Sequence, residues 1–475
     1  MNRVAAAALA ALMLASCSRA PTPQASPTPT PSQSPSPSAT ASEPSPSPSP
    51  SPTRAPTTEA VSVGIDGGLG DGPSRSPSIS ADGRFVAFTS AAANLVSGDL
   101  NDEPDIFVRD LTAGRTTRVS VASSGSEANG PSYAPAISGN GRFIAFVSEA
   151  TNLVSPEIPP ACAMQEQPCA QTYVYDRSTG RSELVSAAAN GTPGNDDVAD
   201  AESPAISADG RYVAFASWAS NLVAGDTNRC GPDGRMSCLD VFVRDRTKKT
   251  LVRASIGARG AQAEAESSRP SMSADGRRVA FESGARLTPE ACAKPCAGVF
   301  VRDLTDGTTT RADTSNAGVP GSRGARLPAI SPDGTVVAFV SDSDNLVPGV
   351  TTGIFLKRLA DGSLTAFAAQ EVDAVALSRD AHFVAFVSAD GAVVSADSND
   401  HEDVFVHDSR SGKTRRVSLS ESGAQLARAT STDGDEWIAR GAVSARGDVV
   451  AFDAIYSDAV ENDINRTWDV FVRIA

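Results

Sequence analysis

The stretch Ser78-Ile79-Ser80-Ala81-Asp82-Gly83-Arg84-Phe85-Val86-Ala87-Phe88 decides the fold. Asp82-Gly83 makes a tight turn, because glycine supplies the positive φ that a hairpin needs. The turn joins a short strand, a, to a second strand, b. Phe85 and Ala87 point to one side of strand b, Val86 and Phe88 to the other. A strand with one wet face alternates apolar and polar residues. This one is apolar on both faces, so its sheet lies between two other sheets.

The pattern returns six more times, at Ala136–Phe146, Ala205–Phe215, Ser271–Phe281, Ala329–Phe339, Ala376–Phe386 and Ala442–Phe452. Each copy keeps an alanine before its last phenylalanine, read as the small residue that allows close sheet packing. Each is followed by a third apolar run such as Ile106-Phe107-Val108 and, in most copies, a fourth such as Arg118-Val119-Ser120-Val121. Sheets with two dry faces satisfy one another by closing into a ring. The expectation is an all-β fold, a seven-bladed β-propeller of four-stranded antiparallel blades. The last copy ends at Val470–Ile474 with no fourth strand, whereas Thr58–Val63 carries the fourth-strand pattern. The N-terminal strand is therefore expected to complete the last blade.

These repeats resemble the WD40-like repeats of the TolB-type β-propeller family. Ser331-Pro332-Asp333-Gly334 followed by Val336-Val337-Ala338-Phe339 carries that signature literally. The resemblance covers nearly all of residues 58–475 and implies a propeller and, as one alternative, a TolB-like part in an envelope complex. The chain departs from TolB in blade number, and in placing Ile79, Ile137, Ile206, Met272, Ile330, Leu377 and Val443 where such repeats often carry tryptophan.

Residues 1–16 read as a signal peptide: Arg3, then an apolar run from Val4 to Leu14 too short to span a bilayer. The run ends in Leu14-Ala15-Ser16-Cys17, which resembles a bacterial lipobox and implies cleavage before Cys17 and lipidation of its thiol. Residues 17–57 are rich in Pro, Ser and Thr and have nothing to bury. At ~3.1 Å per residue they would form a stalk on the order of 100 Å long. Residues 58–475 form the propeller domain. The expected location is extracytoplasmic, lipid-anchored to the bacterial membrane. The net charge of −15 over 475 residues excludes a nucleic-acid partner, which needs a basic face.

The a–b and c–d turns are short, and all long segments fall in the b–c and d–a loops. That elaborated face is the expected binding face. Six of the seven cysteines lie in three b–c loops, and proximity pairs Cys162 with Cys169, Cys230 with Cys238 and Cys292 with Cys296. An Asp-x-Asn pattern recurs there as Asp99, Asn101 and Asp105; Asp226 and Asn228; Asp397, Asn399 and Asp403; and Asp463, Asn465 and Asp469. It opens like a calcium loop but lacks the EF-hand glycine and twelfth ligand. An Asx-turn is the preferred reading, with a calcium site of another kind as the alternative; no other cofactor is called for. Tyr133, Trp218, Trp437 and Trp468 fall on the same face, as stacking platforms for sugar or peptide or as local lids.

The three histidines, His382, His401 and His407, have no nucleophile or metal partner at a telling spacing. The sequence has no Gly-x-Ser-x-Gly elbow, phosphate loop or His-Glu-x-x-His. It reads as a monomeric, non-catalytic binding scaffold for an envelope protein, peptide or glycan. The alternatives are an envelope hydrolase or lyase with its site at the central channel, and a calcium-dependent adhesive module.

Overall fold

The computed structural model describes residues 56–158, 168–199, 203–230, 236–289, 297–395, 397–399, 401–426, 441–455, 458–461, 463, 465 and 467–474. The expected signal peptide, Cys17, nearly all of the expected stalk, Cys162, Cys292, Cys296 and Trp437 lie outside these residues. Among the described residues no helix is long and apolar enough to cross a membrane.

Seven four-stranded antiparallel sheets make up the head, each ordered a-b-c-d from the axis outward. In blade one the strands are Ser74–Ile79, Phe85–Ser90, Asp105–Asp110 and Arg115–Arg118. Blades two to six repeat this order to Lys413–Arg416. Blade seven takes a, b and c from Gly441–Val443, Val449–Ala454 and Asp469–Ile474. Its outermost strand is Thr57–Ala60, paired antiparallel with Asp469–Ile474. The N-terminal strand closes the ring, as its sequence required.

The core is seven interfaces, not one centre. Each apolar cluster mixes the facing sides of two neighbouring blades. The alanine of each strand b sits in the cluster that holds the next blade's strand-b phenylalanine: Ala87 with Phe146, Ala385 with Phe452, and Ala451 with Phe88 across the closure. Within each blade that phenylalanine lies against the aromatic directly opposite on strand c, as Phe88 against Phe107 at 5.9 Å and Phe386 against Phe405 at 5.4 Å. The two faces of strand b are both dry because each meets a different neighbour.

The a–b turns meet around the axis in a closed circle of backbone hydrogen bonds. The donors and acceptors run Ala81 to Gly139, Asn140 to Ala208, Ala208 to Ala274, Ala274 to Pro332, Asp333 to Arg379, Arg379 to Ala445, and Ala445 back to Ala81, at 2.8–3.1 Å. Glycine is required beside it: Gly210 has φ +76°, and a Cβ there would stand 2.1 Å from the ring of Phe143. The aspartates ending strand c make the turns that follow them. Asp110 accepts the backbone N–H groups of Thr112 and Ala113, and also takes a two-pronged contact from Arg84.

Candidate functional site

The Asp-x-Asn loops are built around arginines from strand d. In blade one, Nη1 of Arg118 lies 2.8 Å from Asp99, 3.1 Å from Asp105 and 2.8 Å from Glu127. Asn101 donates to Asp105 at 3.3 Å and to the Ala128 carbonyl at 3.2 Å. Ser120 donates to the other oxygen of Asp105. Blade three repeats this with Arg253 on Asp226 at 3.2 Å and Asp240 at 3.1 Å, and with Asn228 donating to Asp240 at 3.0 Å. Blade six repeats it with Arg416 on Asp397 at 3.0 Å and Asp403 at 3.2 Å; Asn399 reaches the Leu426 carbonyl. In these three loops a guanidinium lies among the carboxylates that the alternative reading assigned to calcium. Burial outweighs the arginine and raises Asp99, Asp226 and Asp403 each to about 6.

Charge at this position is matched blade by blade. The residue opposite the strand-c aromatic is Arg118, Arg253, Arg311 or Arg416 where acids are present. In blade four Gly298 replaces the strand-c aspartate, and Asp313 moves in beside Arg311 at 2.8 Å. Blade two pairs Leu184 with the neutral Gln171, which Ser186 reaches at 2.7 Å. Blade five has Ala366 and Gly353. Blade seven breaks the rule. Ala60 stands opposite Phe471, yet Asp463 and Asp469 are 6% and 0% exposed. Asp469 is held by Ser62 at 2.6 Å and Asn465 at 2.7 Å. Burial, then the charges of Asp469 and Asp458, raise Asp463 to about 7; burial raises Asp469 to about 6.

At the loop-rich ends of the innermost strands, a β-bulge recurs next to a proline, which has no N–H to give to the ladder. Ser76, Ala134, Arg269 and Leu327, each preceding a proline, are left-handed, with φ of 57°, 53°, 51° and 54°. Two bulges are pinned by a buried or half-buried acid on strand b of the preceding blade: Asp453 accepts the N–H of Ser76 at 2.7 Å, and Glu282 that of Leu327. These bulges carry Arg75, Tyr133, Arg269 and Arg326 on the channel-side strands. Arg269 and Arg326 are exposed, and Arg75 is half-buried. Each is oriented: Arg75 lies 4.2 Å above the Trp468 ring, Arg269 is 3.9 Å from Glu282, and Arg326 donates to the Val372 carbonyl at 2.6 Å.

Of the aromatic candidates, Tyr133 joins this group. Trp468 is only 3% exposed beneath Arg75, so it is a lid and not a stacking platform. Trp218 packs against the cluster between blades three and four. Cys230 and Cys238 form a disulfide and Cys169 is disulfide-bonded. The histidines stay apart. His382 meets Asp408 at 2.9 Å on the turn face. His407 is buried against Phe367 with its ring centroid 3.8 Å away, and burial lowers its pKa. The backbone N–H of His401 caps Asn399. Among the described residues no group of three or more His, Cys, Asp or Glu is arranged to hold a metal.

No protein-family model matches the chain, and no curated protein matches its sequence. Its fold does match solved structures. Oligogalacturonate lyase from Vibrio parahaemolyticus aligns with a TM-score of 0.53 at 10% identity, over 89% of this chain and 97% of that one. An oligogalacturonate lyase in complex with manganese aligns with a TM-score of 0.53 at 10% identity, over 88% and 96%. TolB from Acinetobacter baumannii aligns with a TM-score of 0.37 at 16% identity, over 78% and 76%. The chain is a seven-bladed β-propeller, and the solved lyases share its fold. The expectation of a non-enzymatic head is corrected by the lyases, which carry a catalytic activity on this fold over nearly their whole length.

Proposed function

We propose that the chain is an extracytoplasmic, lipid-tethered propeller that takes an anionic saccharide at the loop-rich mouth of its channel. One observation carries the reading. In a protein of net charge −15, the bulged ends of the innermost strands carry Arg75, Arg269 and Arg326 on blades one, four and five and Tyr133 on blade two. Guanidinium forks match carboxylates in two-pronged contacts, and a tyrosine ring offers a face to a sugar. The lyase neighbours are named for a polyanionic sugar, which is the same ligand class. The lipobox around Cys17 and the stalk support placement at the envelope.

The test is binding of the soluble head to immobilised polygalacturonate, against neutral dextran. Retention that falls with salt and is lost in the triple variant R75A/R269A/R326A supports the reading. Equal retention by the triple variant overturns it. Unsaturated uronate appearing in the same mixture would add cleavage to binding. For the tether, Cys17→Ser is expected to move the full chain from the membrane to the soluble fraction.

A further inference from the structure

Two arginines outside the channel stand in equivalent places, and only one has a carboxylate bonded to its fork. Arg177 and Arg246 each follow the aspartate that ends strand c, in blades two and three. Arg246 lies 4.7 Å above the Phe143 ring, and its Nη1 donates to the Gly210 carbonyl at 2.6 Å. Its Nε and Nη2 both donate to Glu183 of the preceding blade, at 3.1 and 3.0 Å. Arg177 repeats the first half. It lies 4.0 Å above the Phe85 ring, and its Nη1 donates to the Gly141 carbonyl at 2.7 Å. The residue in register with Glu183 is Thr117: Val174 faces Glu183 as Val108 faces Thr117. Among the described residues, Nε and Nη2 of Arg177 make no hydrogen bond.

Thr117 and Arg177 line a cleft of about 400 Å³ between blades one and two, together with Arg115, Arg142, Phe85 and Tyr175. No aspartate or glutamate lines it. It opens near the a–b and c–d turns, away from the loop-rich face. Arg142 is engaged by Asp176 at 2.7 Å. Burial lowers the pKa of Arg177 from the ordinary arginine value; Asp110, the acid that acts on it from blade one, opposes this but has both oxygens engaged by Arg84.

We propose that this cleft binds a small organic carboxylate of about the size of one sugar acid, whose carboxylate meets the Nε and Nη2 of Arg177 as Glu183 meets Arg246. The edge of the Tyr175 ring takes the apolar side of the ligand, since Phe85 already lies under Arg84 and Arg177, and Arg115 adds long-range attraction. The site is independent of the channel mouth and does not rest on the saccharide reading.

The test is calorimetric titration of the soluble head with D-glucuronate, with glucose and inorganic phosphate in parallel. Glucuronate binding that weakens about tenfold or more in Arg177→Ala, as expected for a charge-assisted pair, supports the proposal. Thr117→Glu is the sharper variant, because it supplies the missing partner and does not remove a group. It is expected to abolish glucuronate binding while thermal stability stays equal or rises. The variant R75A/R269A/R326A is expected to keep this binding, which separates failure here from failure at the mouth. Absence of glucuronate binding to the unaltered head, phosphate binding in preference to glucuronate, or full binding by Thr117→Glu overturns it.

Discussion

Ser62 donates its hydroxyl to Asp469 at 2.6 Å across 407 residues of sequence. The same oxygen accepts the N–H of Val470 at 3.1 Å. This contact fastens the N-terminal segment to the last strand of the ring. Ser62→Ala leaves a buried carboxylate and a buried N–H each short of a partner. The expected cost is ~1–3 kcal/mol, read as a lower urea midpoint with an unchanged slope. An unchanged midpoint would remove the contact from the account of closure.

Stability should fall as pH rises through the range of the buried acids. Asp463 at about 7 and Asp469 at about 6 lie above their ordinary value of 3.8, chiefly through burial. The folded protein therefore holds these protons more tightly than the unfolded chain. Stability is lost as pH climbs from near 4 to near 7 and then levels off. Asp99, Asp226 and Asp403, each at about 6, add to the same slope. Ala60→Arg gives blade seven the guanidinium of blade one and should draw Asp463 toward the value of Asp99. One unit is about 1.4 kcal/mol, so the gain is expected at pH 8 and nearly absent at pH 4. Denaturant midpoints at the two pH values decide it; equal gains would mean that the new side chain acts by packing alone.

Arg118 holds two buried aspartates in blade one. Arg118→Met should cost ~3–5 kcal/mol, because it strands charge in the interior. Adding Asp99→Asn and Asp105→Asn should recover most of that loss. Thermal melts of the single and triple variants check it, and no recovery in the triple would show that shape, not charge, is what Arg118 supplies.

The interblade alanines set the spacing of the sheets. Ala385→Leu, in the cluster that holds Phe452, is expected to cost ~1–3 kcal/mol by overpacking. The same change at the exposed Ala113 should be silent. Chemical denaturation of both variants makes the comparison.

The propeller was legible because its driving force is local: Phe85-Val86-Ala87-Phe88 declares two dry faces in four residues. Closure was legible because Thr58–Val63 repeats a pattern whose last copy lacks it. The charge networks were not. Asp99 and Arg118 are 19 residues apart, and the arginine was visible only as the start of an apolar run. Reading down the seven copies for residues that change together would have found it: Arg118, Arg253, Arg311 and Arg416 accompany acids, and Leu184 accompanies Gln171. Trp468 read as a loop aromatic because its cover, Arg75, comes from the other end of the chain. The arginines on the innermost strands were missed because a bulge beside proline shifts the register, so strict alternation does not say which way they face.

The circle of turn-to-turn hydrogen bonds gives this propeller an uneven evolvability. On that rim each turn answers to two neighbours, so insertion or deletion in one would break contacts in three blades at once. Among the described residues the opposite rim is joined by single bonds between neighbours, such as Ser132 to Pro104 and Ser267 to Leu239, that do not run through its loop tips. Its connections can lengthen, acquire cysteines or trade an arginine for an alanine one blade at a time, and variation will therefore accumulate on the loop-rich face.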